Sequence, residues 1–349
     1  MTMKERILAV VRGEPVDRVP FVMYEGLLPV AEVSAHLGSE RIGLMRWSSI
    51  HKVEHSECRF ESEDFDRGGT RWRRNTIHTP AGAIFEERAF EPEYNSSSIR
   101  KHFVEKPDDY EALWALLEDG QIKADYERYN RDAEDLGDRG IPLVAIQRSP
   151  YQQLWVQWVG LEALGYHFVD CPQKVAKTVE ILEELARQIF DIAVDSPAPF
   201  IDFPDNITAP AIGPARFEKY CVPLYRDLAE KLAPSGRPVF VHMDGDLKPL
   251  WEKISISGVR GLDSFSPAPD NDTTIEDVIR LWPDMRIFMN FPSSVHLRPP
   301  DEIRRETFRI LEVAASTGNL QIQLSENVPH RVWRTSLPAI AGAIEEFCG

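Results

Sequence analysis

Long apolar runs are missing from this chain. No stretch approaches the ~20 consecutive apolar residues that a bilayer-spanning helix needs, so no membrane partner is expected. Cysteine is scarce. The four thiols, Cys58, Cys171, Cys221 and Cys348, are scattered over 349 residues without a Cys-x-x-Cys pair. That pattern argues against a disulfide framework and predicts reduced, mostly buried thiols in a cytosolic protein. Basic charge is also short, with 40 Lys and Arg against 56 Asp and Glu and a net charge of −16. A field of that sign repels phosphates and argues against nucleic acid or an anionic membrane as partner. Arg71, Arg73 and Arg74 form a local exception, readable as an anion patch or as the solvated face of a hairpin. There is no Walker loop, GxGxxG turn or GxSxG elbow, which leaves nucleotide binding and serine-hydrolase chemistry without support. No Pro/Gly/Ser linker, low-complexity tract or short repeat divides the chain. Lys4, Glu5 and Arg6 stand in a helical pattern where a signal peptide would be apolar, so a cytoplasmic location is expected.

What is present is an alternation. Hydrophobic residues make up 43% of the chain, enough for one large core. Short β-type runs occur at 19–25, 42–47, 142–148, 199–204, 238–244, 261–265, 286–291 and 320–326, several of them opening after Pro or Gly. Between the later runs lie amphipathic helical patterns at 174–194, 217–232 and 301–314. The first carries Val175, Val179, Leu182, Leu185, Ile189 and Ile192 at steps of three or four. About eight strands alternating with helices predict an α/β fold, a (β/α)8 TIM barrel, as a single domain over 1–349. Between the second and third strands, an Arg-rich run followed by Thr79-Pro-Ala-Gly-Ala predicts a β-hairpin, then a helix over 108–117. The inserted segment spans about 57–125.

In such a barrel, reactive groups stand at the carboxyl ends of the strands. The polar residues there are Tyr24 and Glu25, Gln147 and Arg148, Asp205 and Asn206, His242 and Asp244, Asp263 and Ser264, Asn290, and Glu326 with Asn327. Strand side chains alternate, so His242 and Asp244 in Val-Phe-Val-His-Met-Asp-Gly-Asp share a face, and Gly245 lets the chain turn just beyond them. An imidazole and a carboxylate so placed can share a divalent metal or act as an acid–base pair. They can equally form a hydrogen-bonded pair that only orders the loop. Glu326 reads as a third ligand or as a loop cap, and Asp205 and Asn206 as substrate contacts or as turn residues. Tyr151, Trp155, Trp158 and Tyr166 read as a pocket wall or as core of the following helix.

The segment from Lys4 through Phe21, with Glu-Arg-Ile-Leu-Ala-Val-Val-Arg-Gly-Glu-Pro-Val-Asp-Arg-Val-Pro at its heart, resembles the amino-terminal segment of the uroporphyrinogen decarboxylase superfamily. Phe217-Glu-Lys-Tyr-Cys-Val-Pro-Leu-Tyr, the His242 strand and Ser257-Gly-Val-Arg-Gly-Leu-Asp extend the likeness over nearly the whole chain. The resemblance implies a (β/α)8 barrel. Uroporphyrinogen decarboxylases carry a Met-Arg-Gln-Ala-Gly-Arg signature whose arginines bind substrate carboxylates. Here Met23-Tyr-Glu-Gly-Leu-Leu stands in its place, without arginine.

The superfamily's other branch holds corrinoid-linked methyltransferases, and this sequence is closer to them. Their coenzyme M members hold zinc through a His-x-Cys pair and a later Cys. His242 matches the histidine, while Asp244 and Glu326 stand near the two cysteine positions. The resemblance therefore implies a divalent metal, zinc first, on His242, Asp244 and Glu326. It further implies a corrinoid carried by a partner protein, and homodimerisation. Tyr24, Glu25, Arg148, Asp205, Asn206, Asn290 and Asn327 are then the expected substrate contacts. The alternative expectation is a metal-free decarboxylase or lyase of a small carboxylated substrate.

Overall fold

The computed structural model describes residues 1–92 and 96–349. Its contacts divide the chain into two compact units: Met1–Ile50 with Tyr126–Ile146 and Ala193–Gly349, and His51–Asp125 with Gln147–Ile192.

The first unit is built on eight strands, one for each β-type run. They are β1 (Phe21–Tyr24), β2 (Gly43–Ser48), β9 (Gly140–Val144), β10 (Ile201–Phe203), β11 (Val239–His242), β12 (Gly261–Phe265), β13 (Arg286–Asn290) and β14 (Leu320–Leu324). Strands β3 to β8 belong to the second unit. The eight pair in the order β10-β11-β12-β13-β14-β1-β2-β9, and every pairing is parallel. An isolated bridge between Ala145 and Asp202, with Ile146 N–H on the Asp202 carbonyl at 3.0 Å, joins β9 to β10 and closes the ring into a (β/α)8 barrel. These strands are buried on both faces, which is why they read as nearly unbroken apolar runs.

Inside, side chains two residues apart stack along each strand. Phe200, Phe240 and Phe288 form an aromatic layer, with ring centroids 4.5 to 5.7 Å apart. Two residues further along the same strands come Asp202, His242 and Asn290, all buried. The interior thus changes from apolar to polar toward the carboxyl ends. Helix Met3–Arg12 begins with a capping box between Thr2 and Glu5 and packs Met3, Ile7, Val10 and Val11 into the apolar layer.

The expected helix over 217–232 is two helices, Ala209–Tyr220 and Val222–Leu232. They meet at Cys221-Val222-Pro223, because Pro223 lacks the N–H that would continue the ladder. The other two patterns form helices Pro172–Asp195 and Pro300–Ala314.

The second unit holds more sheet than the single hairpin expected. Strands β4 (Arg59–Arg67), β5 (Thr70–Thr79), β6 (Gly82–Glu91) and β7 (Ser96–Lys101) form a four-stranded antiparallel sheet, and β3 (His51–Glu54) pairs with β8 (Gln121–Ala124). The Pro80-Ala81 turn falls where the sequence put it. The expected helix is Asp109–Asp119. Arg73 binds Asp64 at 2.6 Å, Arg71 also binds Asp64, and Arg74 binds Glu87 at 2.7 Å. These arginines are occupied on the sheet face, as the solvated-hairpin reading requires. All four cysteines are free, and Cys58, Cys171 and Cys221 are buried. Among the described residues no helix is long and apolar enough to cross a membrane.

Gly261 makes room for the aromatic layer, since a Cβ there would lie 2.3 Å from the Phe240 ring. Gly261→Ala should therefore cost about 1–3 kcal/mol of stability, read from the midpoint of urea unfolding. Adding Phe240→Leu should recover part of that loss; a neutral Gly261→Ala would show that the ring moves aside freely.

Candidate active site at the barrel mouth

His242 ends β11, and strand register sets Asp263 of β12 directly beside it. The His242 Nδ1 lies 3.0 Å from Asp263 Oδ2. Asp263 is fully buried and also accepts from the Tyr24 hydroxyl and from Gln323 Nε2 at 3.2 Å. With a carboxylate as its partner Nδ1 carries the proton, and Nε2 is directed at the other two side chains. It lies 3.6 Å from Asp244 Oδ2 and 3.9 Å from Glu326 Oε1.

Each of those carboxylates has its own holder. Asp244 lies beyond the end of β11, where Met243 N–H still bonds the Asp263 carbonyl at 2.9 Å. Asn206 Nδ2 donates to Asp244 Oδ2 at 2.9 Å. Gly245 is required here for close approach rather than for an unusual turn, because a Cβ would lie 2.3 Å from the Thr208 side chain. Glu326 follows β14. Asn290 Oδ1 accepts the backbone N–H groups of Ser325 and Glu326 at 3.1 and 3.3 Å, while Ser264 Oγ donates to Glu326 Oε1 at 3.2 Å. One ligand atom from each of His242, Asp244 and Glu326 falls within 4.8 Å of the others.

The charges are coupled. Burial pulls the His242 pKa down, but bonds to Asp244 and Asp263 override it and hold the imidazole well above its ordinary value. Burial opposes ionisation of Asp244, yet His242 and the Asn206 amide keep that carboxyl below its usual range. Glu326 is pushed up, first by burial and then by repulsion from Asp244, with His242 opposing. Tyr24 is held well above the ordinary phenol range by burial and the Asp263 charge. Three carboxylates thus face one imidazole, a surplus of negative charge that suits a cation. The set of one nitrogen and two oxygens, with Nε2 left free by Asp263, matches a three-ligand zinc or similar divalent site. Trp47 lines one side, its ring 5.0 Å from Tyr24 and 6.4 Å from His242.

Other expected site residues have different company. Arg46 binds Glu25 through Nη2 at 3.0 Å and also meets Asp132 at 3.3 Å, so Glu25 sits in an ion-pair network. Asp205 is buried and accepts from Tyr225. Asn327 is exposed, and Arg148 belongs to the second unit. That unit also contains Trp155 and Trp158, on a π-helical turn at Leu154–Trp158, and the exposed Tyr166. In the sequence Asp263 stands at a strand end without a role of its own, and Gln323 and Trp47 carry no local signal. The signal for Asp263 is its height, level with His242 on the neighbouring strand. A second cluster, His55, Cys58 and Asp119, lies in the second unit. There Asp119 accepts the backbone N–H groups of Ser56, Glu57 and Cys58, which makes it a loop clamp. Burial and that carboxylate push the Cys58 thiol up to about 11.

A closed parallel barrel with ionisable side chains gathered at its carboxyl end is the arrangement of (β/α)8 enzymes. The sequence matches the uroporphyrinogen decarboxylase (URO-D) family over residues 81–330, and the chain belongs to that family. No curated protein matches it. Among solved structures, a methyltransferase from Methanosarcina mazei is similar over 100% of both chains, with 14% identity and a TM-score of 0.60, a likeness of fold. A GH18 chitinase, ChiB, of Flavobacterium johnsoniae aligns over 95% of both chains with 8% identity and a TM-score of 0.38.

Asp263 serves three donors at once. Asp263→Asn, which breaks a buried charged pair, should cost roughly 3–5 kcal/mol. Tyr24→Phe, which removes one donor, should cost about 1–3 kcal/mol. Thermal unfolding of the two variants should preserve that order; the reverse order would mean that the phenol, not the histidine, is what Asp263 serves.

Proposed function

We propose that this protein is a methyltransferase that moves a methyl group between a small methylated compound or acceptor and a corrinoid carried by a separate protein. A divalent metal, zinc by its donor set, is held by His242, Asp244 and Glu326. The observation that carries this reading is the convergence of those three side chains, in a URO-D family barrel, around a histidine already oriented by a buried carboxylate. The absence of arginine from Met23-Tyr-Glu-Gly-Leu-Leu, together with the surplus of carboxylates, speaks against a polycarboxylate porphyrinogen. The methyltransferase fold of the Methanosarcina neighbour supports the class.

Bound there, a divalent ion supplies Lewis acidity toward an oxygen, nitrogen or sulfur atom of substrate or acceptor. The chain's own residues do the rest. Asp263 fixes the His242 tautomer, Asn206 and Ser264 hold the two carboxylates, and Asn290 anchors the backbone that carries Glu326. The Trp47 and Tyr24 rings give the reacting group an apolar wall that limits water.

A second reading, metal-free decarboxylation of a small carboxylated substrate, draws on one observation. Bonds to Asp244 and Asp263 raise the His242 pKa, which favours an imidazolium able to give a proton to carbon as CO2 departs.

Elemental analysis of the purified protein should find about one divalent ion per chain, lost in His242→Ala and in Glu326→Ala. The wild type should also demethylate methylcob(III)alamin in the presence of a thiol, amine or phenol acceptor, followed by its visible spectrum, and both variants should lose this activity. A wild type without stoichiometric metal overturns the Lewis-acid reading. Release of CO2 with no corrinoid dependence moves the assignment to the second.

A further inference from the structure

Among the described residues two that are not glycine have a positive φ, Asn206 at 53° and Ser264 at 54°. An L-residue in that region is strained, less so for Asn, whose short amide tolerates it. Both stand at the carboxyl end of the barrel, and each donates to a different carboxylate of the cluster: Asn206 to Asp244 at 2.9 Å, Ser264 to Glu326 at 3.2 Å. No other pair of residues in the first unit combines this strain with this contact.

Ser264 shows why the strain is there. It lies within β12, where regular alternation would put it on the face opposite Asp263. Asp263 already points inward at His242. Yet Ser264 Oγ reaches Glu326, whose carboxylate lies 3.9 Å from the same imidazole. Two consecutive strand residues can serve one cluster only if the backbone breaks its alternation between them. It does so here: the pairing of β12 with β13 passes from Leu262–Ile287 to Phe265–Met289, so β12 carries one extra residue at this point. That bulge turns the Ser264 hydroxyl inward. Ser325 Oγ lies 2.5 Å from Ser264 Oγ and adds a hydroxyl contact beside Glu326. Asn206 solves the same problem beyond β10. Its neighbour Asp205 turns to Tyr225, and the left-handed step brings the Asn206 amide onto Asp244. Glycine would relieve the strain in both places but carries no donor.

We propose that Asn206 and Ser264 are positioning residues, kept in a strained conformation because it aims their donors at Asp244 and Glu326 and so presents both carboxylates to a divalent cation. This rests on the metal-site reading above. Strain retained at a functional site follows the general pattern in which local stability is given up for a fixed geometry.

The test uses four variants of the full chain, Asn206→Ala, Asn206→Gly, Ser264→Ala and Ser264→Gly, with two readouts. Zinc affinity is measured by competition with a chromophoric chelator, and stability by the thermal midpoint of the metal-free protein. Ala and Gly remove the donor alike, but only Gly relaxes the backbone. All four should bind zinc at least about tenfold more weakly than wild type. Each Gly variant should melt above its Ala partner by roughly 1–3 °C. Wild-type affinity in the variants overturns the positioning role and leaves the metal site standing. Gly variants melting no higher than Ala variants overturn the strain. A wild type that binds no zinc removes the metal site and this inference together, and is told apart by the wild-type titration alone.

Discussion

The hydrogen bond between His242 and Asp263 organises the mouth of this barrel. It joins adjacent strands at one height, fixes which imidazole nitrogen carries the proton, and so decides which one faces the opening. Asp263 is buried and charged, so it cannot stand alone; Tyr24 and Gln323 supply the remaining donors from β1 and β14. One carboxylate thus ties four strands of the ring together. Asp244 and Glu326 then need only be brought to the free side of the ring, where Asn206 donates to Asp244 and Ser264 to Glu326.

Parallel pairing makes this possible. Side chains two apart along a strand stack, and in-register neighbours stand at equal height, so polar groups collect in a layer above an apolar one. Phe200, Phe240 and Phe288 form the lower layer, with Asp202, His242 and Asn290 above them on the same strands. Around His242 that layer is held by hydrogen bonds, with Asp263 accepting from Tyr24 and Gln323 and bonded to the His242 ring. The Gln321 Nε2 to Gln323 Oε1 contact at 2.9 Å continues that network along β14.

All eight barrel strands were legible in the sequence, because burial on both faces leaves apolar runs that few other elements produce. His242 and Asp244 were legible from alternation, although the regular strand stops at His242 and Asp244 reaches the cluster from the loop beyond. Glu326 was legible as the polar end of the last strand, and its role as a ligand rested most on the resemblance. The role of Asp263 was hidden for a physical reason: its partner is 21 residues away, and nothing local announces the register that sets them side by side. The inward turn of Ser264 was hidden because the bulge that produces it is a property of pairing between two strands. The four-stranded sheet was half seen. Strand β4 is exposed along most of its length, so Glu-Ser-Glu-Asp-Phe-Asp shows no apolar alternation to read.

The aromatic layer has a consequence for traffic. With three phenylalanines filling the barrel beneath the polar groups, and helix Met3–Arg12 packed into the same cluster, there is no passage through the axis. Whatever reaches His242 arrives through the carboxyl end and leaves by the same way. For the proposed methyl donor and acceptor, that one opening would have to serve both.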